Sequence, residues 1–158
     1  MQFTIKQRIM AFGKQYRVFD SSGNEVYEVR SQILSPERRK EVLDMQGRLL
    51  AWAEWPVMSG QAVLNAGLDS GHMDIPFMSL TPQWDLVMGN GRRYTVEGDL
   101  FRMGFGVNGD AGLVASVGKR ILAFSDTYEV DVDERSLPPL FALLLVALID
   151  HKYHSDNN

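Results

Sequence analysis

Five carboxylates fall within nine residues near the C-terminus, Asp126, Glu129, Asp131, Asp133 and Glu134, with no Lys or Arg among them. Hard oxygen ligands at that density are what calcium or magnesium requires. Their spacing assigns them otherwise. In an extended chain Tyr128, Val130 and Val132 share one face while Glu129, Asp131 and Asp133 line the other, which makes a solvated strand face, and the glycine-turned loop of a compact calcium motif is missing. His151 and His154 lie three apart beside Asp150, so a helix would present two imidazoles on one side. Histidines in a last helical turn also interact favourably with the helix dipole, and that is the simpler reading. A metal-dependent enzyme or ion-binding protein using residues 126–134 or these histidines is the alternative function. His72 reads as a loop residue.

Gly104-Phe105-Gly106-Val107-Asn108-Gly109 has the letters of a dinucleotide loop, but the residues that follow, Leu113 to Gly118, read as another strand. A phosphate there would lack the helix N-terminus it needs. No Gly-x-Ser-x-Gly elbow accompanies the serines, and no catalytic residue is assigned. Basic residues form three short groups, Arg38-Arg39-Lys40, Arg92-Arg93 and Lys119-Arg120. Guanidinium forks and ammonium charges in such groups can grip an anionic headgroup; scattered over a sheet they also serve solubility. Residues 1–79 balance nine bases against nine acids, and the remainder carries seven against eleven.

Period-two alternation dominates the elements that would hold these groups: Phe3/Ile5 against Thr4/Lys6, then Tyr16/Val18 around Arg17. Turn residues punctuate it at Ser22-Gly23-Asn24, Gln46-Gly47, Ser70-Gly71, Gly89-Asn90-Gly91 and Asn108-Gly109-Asp110. The rhythm predicts a meander of hairpins. A shift of 112 residues sets Arg8-Ile9-Met10-Ala11-Phe12 over Arg120-Ile121-Leu122-Ala123-Phe124, and Tyr16 and Val18 over Tyr128 and Val130, which reads as a structural repeat. One segment breaks the pattern. Leu137 to Ile149 is apolar throughout, which predicts a helix over 137–153 with Ser136 as cap, a proline in its first turn, and Asp150-His151-Lys152 ending it in water. As helix the run spans roughly 20 Å, too short for a hydrocarbon layer of about 30 Å. A helix apolar on every face needs enclosure, and rolling the sheet around it also removes the sheet edges. A small ligand inside that barrel would compete with the helix for space.

The 158 residues, 45% of them apolar, suffice for one core and one domain spanning 1–158. A net charge of −4 argues against coating nucleic acid by bulk attraction. Zero cysteines exclude disulfides, thiol nucleophiles and cysteine-ligated metals, and fit a cytoplasmic location. Neither a secretory signal nor a lipidation motif is recognisable.

Phe3-Thr4-Ile5-Lys6-Gln7 with Phe12-Gly13, the Asp20-Ser21-Ser22-Gly23-Asn24-Glu25-Val26 turn, and Phe124 to Val132 before an apolar terminal helix together resemble the LURP-one-related family of the tubby C-terminal-like superfamily. The resemblance rests on residues 1–34 and 93–153. It implies a mainly β fold, a closed antiparallel barrel of about twelve strands around a central hydrophobic C-terminal helix. It implies no catalytic residue and no cofactor. Distant relatives include the phosphoinositide-binding tubby proteins and the phospholipid scramblases. The expected function is therefore a non-catalytic binding or scaffold module, peripheral at a membrane or bound to a protein partner. Its candidate headgroup contacts are Arg38, Arg39, Lys40, Arg92, Arg93, Lys119 and Arg120.

Overall fold

A computed structural model describes residues 1–10, 13–32, 37–77, 83–122 and 125–154. Twelve strands run in chain order: β1 (Gln2–Met10), β2 (Gly13–Phe19), β3 (Glu25–Gln32), β4 (Lys40–Leu43), β5 (Leu49–Glu54), β6 (Gln61–Ala66), β7 (Asp69–Asp74), β8 (Trp84–Met88), β9 (Arg93–Asp99), β10 (Gly104–Gly109), β11 (Gly112–Leu122) and β12 (Ser125–Val132). Each pairs antiparallel with the next, and β1 pairs with β12, so the meander closes on itself with no free edge. Closure satisfies every strand's neighbours through the sheet alone.

The interior belongs to α1 (Pro139–His154). Phe141 through Ile149 are all buried, so no face of this stretch meets water, as an apolar run without a polar stripe requires. Inward residues of the strands complete the packing: Ile5, Tyr16, Val18, Val42, Leu64, Trp84, Leu86, Val96 and Tyr128. The helix begins two residues later than its apolar run. Pro139 takes the first helical position, where a missing N–H costs nothing. Ser136 does not cap it; its hydroxyl donates to Asp133 Oδ2 at 2.7 Å, and its carbonyl accepts from the Tyr94 hydroxyl.

The 112-residue repeat survives in three dimensions. Ile5↔Val18, Gln7↔Tyr16 and Ile9↔Lys14 in the β1–β2 hairpin match Val117↔Val130, Lys119↔Tyr128 and Ile121↔Asp126 in the β11–β12 hairpin, position for position. The two hairpins flank the closing seam. Their tips, residues 11–12 and 123–124, lie outside the described residues. Gly104–Gly109 is strand β10 followed directly by β11, so the dinucleotide reading has no helix to serve it. Ser70-Gly71 is not a turn: both residues sit inside β7, and the chain reverses at Gly67-Leu68, where Gly67 takes φ 64. His72 is likewise a strand residue, opposite Val63.

Alternating strand direction gives the barrel two unlike ends. At one, tight turns join β2–β3, β4–β5, β6–β7, β8–β9 and β10–β11, and α1 begins. At the other, here the mouth, lie residues 37–39, 55–60, 75–77 and 100–103, and α1 ends. No helix among the described residues is long and apolar enough to cross a membrane.

Leu144 sits mid-helix with no exposed surface. Leu144→Asp places a charge there at a cost of several kcal/mol, against a total stability of about 5–15 kcal/mol. It is expected to abolish cooperative unfolding in urea, whereas Leu144→Ala should still fold and lose about 2–5 kcal/mol. A folded Leu144→Asp protein of unchanged midpoint would place the helix outside the core.

Candidate functional site

Of the three residues expected to end the helix in water, His151 and Lys152 are partly exposed but Asp150 is not. Asp150, the residue after the apolar run, is fully buried. Its carboxylate accepts from Tyr16 Oη at 2.5 Å and Tyr128 Oη at 2.7 Å, and Lys14 Nζ lies at 3.0 Å. The tyrosines are the repeat-related pair, one from each hairpin, converging on the two oxygens of one side chain. Burial pushes the Asp150 carboxyl up, but the Lys14 charge and these hydrogen bonds outweigh it and hold it below its usual value. Burial and the neighbouring carboxylate push both phenols up, so they stay hydroxyl donors.

One residue further, His151 bridges the interior and the mouth. Its Nδ1 lies 2.5 Å from Lys40 Nζ, which also bonds the Ser31 hydroxyl. Lys40 is completely buried. Burial lowers its ammonium to about 7, with Lys14 and Arg38 pushing the same way and Asp150 opposing. Burial and the cations Lys40, Arg38 and Lys14 lower His151 to about 3. The imidazole is therefore neutral at physiological pH, with Nδ1 engaged by Lys40.

Beyond His151 opens a cleft of about 290 Å³, lined by Arg38, Trp55, Met58, Phe77, His151 and Lys152 among others. Trp55 is its organising surface. The Arg38 guanidinium lies 3.8 Å and the Lys152 ammonium 5.5 Å from the indole centroid, within cation–π range. His151 meets the same indole edge-on at 6.1 Å. Arg38 Nε donates to Trp55 O at 3.0 Å and Arg38 Nη2 to Pro56 O at 3.1 Å. The Arg38 backbone has φ 46, and Met58 has φ 66 at the third position of the Pro56–Ser59 turn, closed by Ser59 N to Pro56 O at 3.0 Å. That position of a type II turn favours glycine, yet here it holds a methionine that is 85% exposed.

The three basic groups do not meet. Arg38, Arg39 and Lys40 are at the mouth but point apart: Arg38 into the cleft, Lys40 inward, and Arg39 outward onto Glu54 at 2.6 Å and Glu41 at 3.4 Å. Arg92 and Arg93 stand at the opposite end, beside the β8–β9 turn, roughly a 16-residue helix length, about 24 Å, away. Lys119 and Arg120 face the acidic strand, pairing with Asp126 at 3.1 Å and Glu129 at 2.9 Å. Two of the five carboxylates, Asp126 and Glu129, thus find bases across on β11, while Asp133 accepts from Ser136 and from the Arg135 backbone. Of the two histidines, His151 has Nδ1 committed to Lys40, and the side chain of His154 lies outside the described residues. No group of three or more metal-ligating residues occurs among the described residues. A surface depression of about 640 Å³ over β1, β2, β11 and β12 sets Lys6 against Asp20, Glu129 and Asp131, so its charges offset one another.

The LURP-one-related family model matches residues 1–150. Among solved structures, an X-ray structure of a protein from Arabidopsis thaliana aligns with a TM-score of 0.62 at 13% identity, over 96% of this chain and 91% of that one. At that identity the likeness speaks for the fold. No curated protein matches.

Tyr16→Phe and Tyr128→Phe should each cost about 1.5–3 kcal/mol, the range for a hydrogen bond to a charged group, with non-additivity in the double variant because both serve one carboxylate. The pH dependence follows from Lys40 and His151. Each has a folded value below its ordinary one, about 7 against 10.5 and about 3 against 6.5. The unfolded chain therefore binds more protons in both windows, and unfolding free energy rises with pH through each. Urea denaturation at pH 5, 7 and 9 checks this. Lys40→Met should flatten the rise between pH 7 and 9; an unchanged slope would contradict the assignment.

Proposed function

The chain belongs to the LURP-one-related family, and on that premise we propose that it is a non-catalytic binding module that docks on anionic phospholipid surfaces through the mouth of its barrel. The observation that carries this reading is the company kept by the cleft's cations. Val57, Met58 and Phe77, 57%, 85% and 79% exposed, line the cleft with Arg38 and Lys152, and Phe101, 52% exposed on another mouth connection, packs on Tyr153 with ring centroids 4.7 Å apart. Exposed apolar groups so clustered mark an interaction surface, and apolar tips beside basic residues suit the headgroup region of a bilayer.

Exposed apolar residues at the other end support the contrast. Met45 and Leu68 on separate turns and Leu113 in β11 stand there apart from one another, among charges of both signs: Asp44, Asp69 and Asp110 with Arg48, Arg92 and Arg93. The strain at Met58 points the same way, because a backbone in the left-handed region persists only where its surroundings hold it there, and such residues cluster at functional positions.

Met58→Gly separates stability from docking. Glycine relieves the positive φ, so the variant should unfold no earlier than the parent and gain up to about 1 kcal/mol. Co-sedimentation with phosphatidylserine-containing vesicles should nonetheless fall at least threefold, and binding of the parent should weaken with salt and be small on phosphatidylcholine alone. Equal binding to neutral and anionic vesicles, or full binding by a Met58→Gly/Phe77→Ser double variant, would overturn the reading.

A further inference from the structure

Two cations, one indole and a neutral imidazole form the polar wall of the cleft. Resting on the membrane-docking reading, we propose that this cleft receives a lipid headgroup ending in a single phosphomonoester, in preference to one carrying several phosphates. Its lining contains no Asp or Glu. The buried acid behind it, Asp150, is already held by Tyr16, Tyr128 and Lys14, so no internal carboxylate remains to satisfy Arg38 and Lys152.

The donors match one oxyanion. Arg38 spends one hydrogen on each of two carbonyls, leaving three of the five guanidinium N–H groups. Lys152 makes no hydrogen bond or ion pair among the described residues, and its charge is penalised first by burial and then by Arg38. An anion between the two would remove that repulsion. A phosphomonoester carries about −1.5 to −2 near neutrality, which two cations balance. A headgroup with two or more additional phosphates would leave charge unmatched, since His151 stays neutral and the helix C-terminus presents carbonyl oxygens to the same region. The volume of about 290 Å³ fits one compact polar group, and the apolar rim of Met58 and Phe77 adjoins it where acyl chains would begin.

The test compares phosphatidylcholine vesicles containing phosphatidic acid, phosphatidylserine or a bisphosphorylated phosphatidylinositol, adjusted to equal surface charge. The parent should bind phosphatidic acid at least fivefold more tightly than either of the others. Lys152→Gln, which breaks no hydrogen bond among the described residues, should lower binding to phosphatidic acid at least fivefold more than binding to the other two lipids and so erase the preference; Arg38→Gln should do the same with an unchanged circular dichroism spectrum. Equal binding to all three lipids, or a Lys152→Gln variant that weakens all three equally, would overturn the headgroup assignment and leave the docking reading standing. Failure to bind any anionic vesicle would remove both. If inorganic phosphate alone bound as tightly as soluble dihexanoyl phosphatidic acid, the lipid source would be overturned in favour of the free anion.

Discussion

A helix that is apolar on all sides has one stable place in water, inside something else, and the rest of this molecule follows from that demand. A flat sheet would cover only one side of Phe141–Ile149 and leave the remainder wet. Twelve short strands in a closed meander cover all of it. Because the helix fills the interior, side chains that could recognise a partner are left to the exterior and the two rims. The barrel's size is set by what it holds: a helix with its side chains is about 10–12 Å across, and the strands must enclose it without voids.

Enclosure creates a second problem at the end where the helix must stop. Asp150 continues the helical path into the interior before the chain reaches the mouth. A lone carboxylate there would cost many kcal/mol; two hydroxyls and an ammonium make it tolerable. Contributing one tyrosine from each repeat-related hairpin also ties both sides of the closing seam to the same helix residue. The arrangement works as a registration device: sliding α1 by one residue would take their acceptor from two buried hydroxyls of the sheet, Tyr16 and Tyr128. Lys40 and His151 extend this polar layer outward to Trp55, so the layer that seals the interior is also the floor of the cleft.

Much of this was legible in the residues, and the failures have physical reasons. Strand alternation located the hairpins, and the apolar run demanded a closed barrel, because both depend on patterns that tertiary context reinforces. Ser70-Gly71 misled because serine and glycine also fit a strand where β8 passes close by: a Cβ on Gly71 would lie 3.0 Å from the Val87 carbonyl oxygen. Asp150 was assigned to water because a charge after an apolar run is ordinarily its solvated end. The contrary signal lay in the repeat. Tyr16 and Tyr128 occupy inward positions, and a buried phenol needs an acceptor, which an interior with few polar side chains could supply only from the helix. Nothing local identified Met58 or Phe77. Their exposure follows from loop conformation, which no periodicity encodes.

The basic triplet at Arg38-Arg39-Lys40 shows how far adjacency in sequence is from adjacency in function. Successive residues entering a strand face opposite ways, so three neighbouring cations cannot form one patch. Lys40 turns to the core, Arg39 to the acids of β4 and β5, and Arg38, held at φ 46, to the indole. The cation that joins Arg38 at the cleft is Lys152, 114 positions away, delivered by the helix rather than by the sheet. A recognition surface that draws one charge from the barrel wall and another from its plug exists only when the plug is fully seated. On the proposed reading, ligand binding at the mouth and packing of the interior are linked: an anion that held Arg38 and Lys152 together would stabilise the seated helix by the same free energy with which the seated helix organises the site.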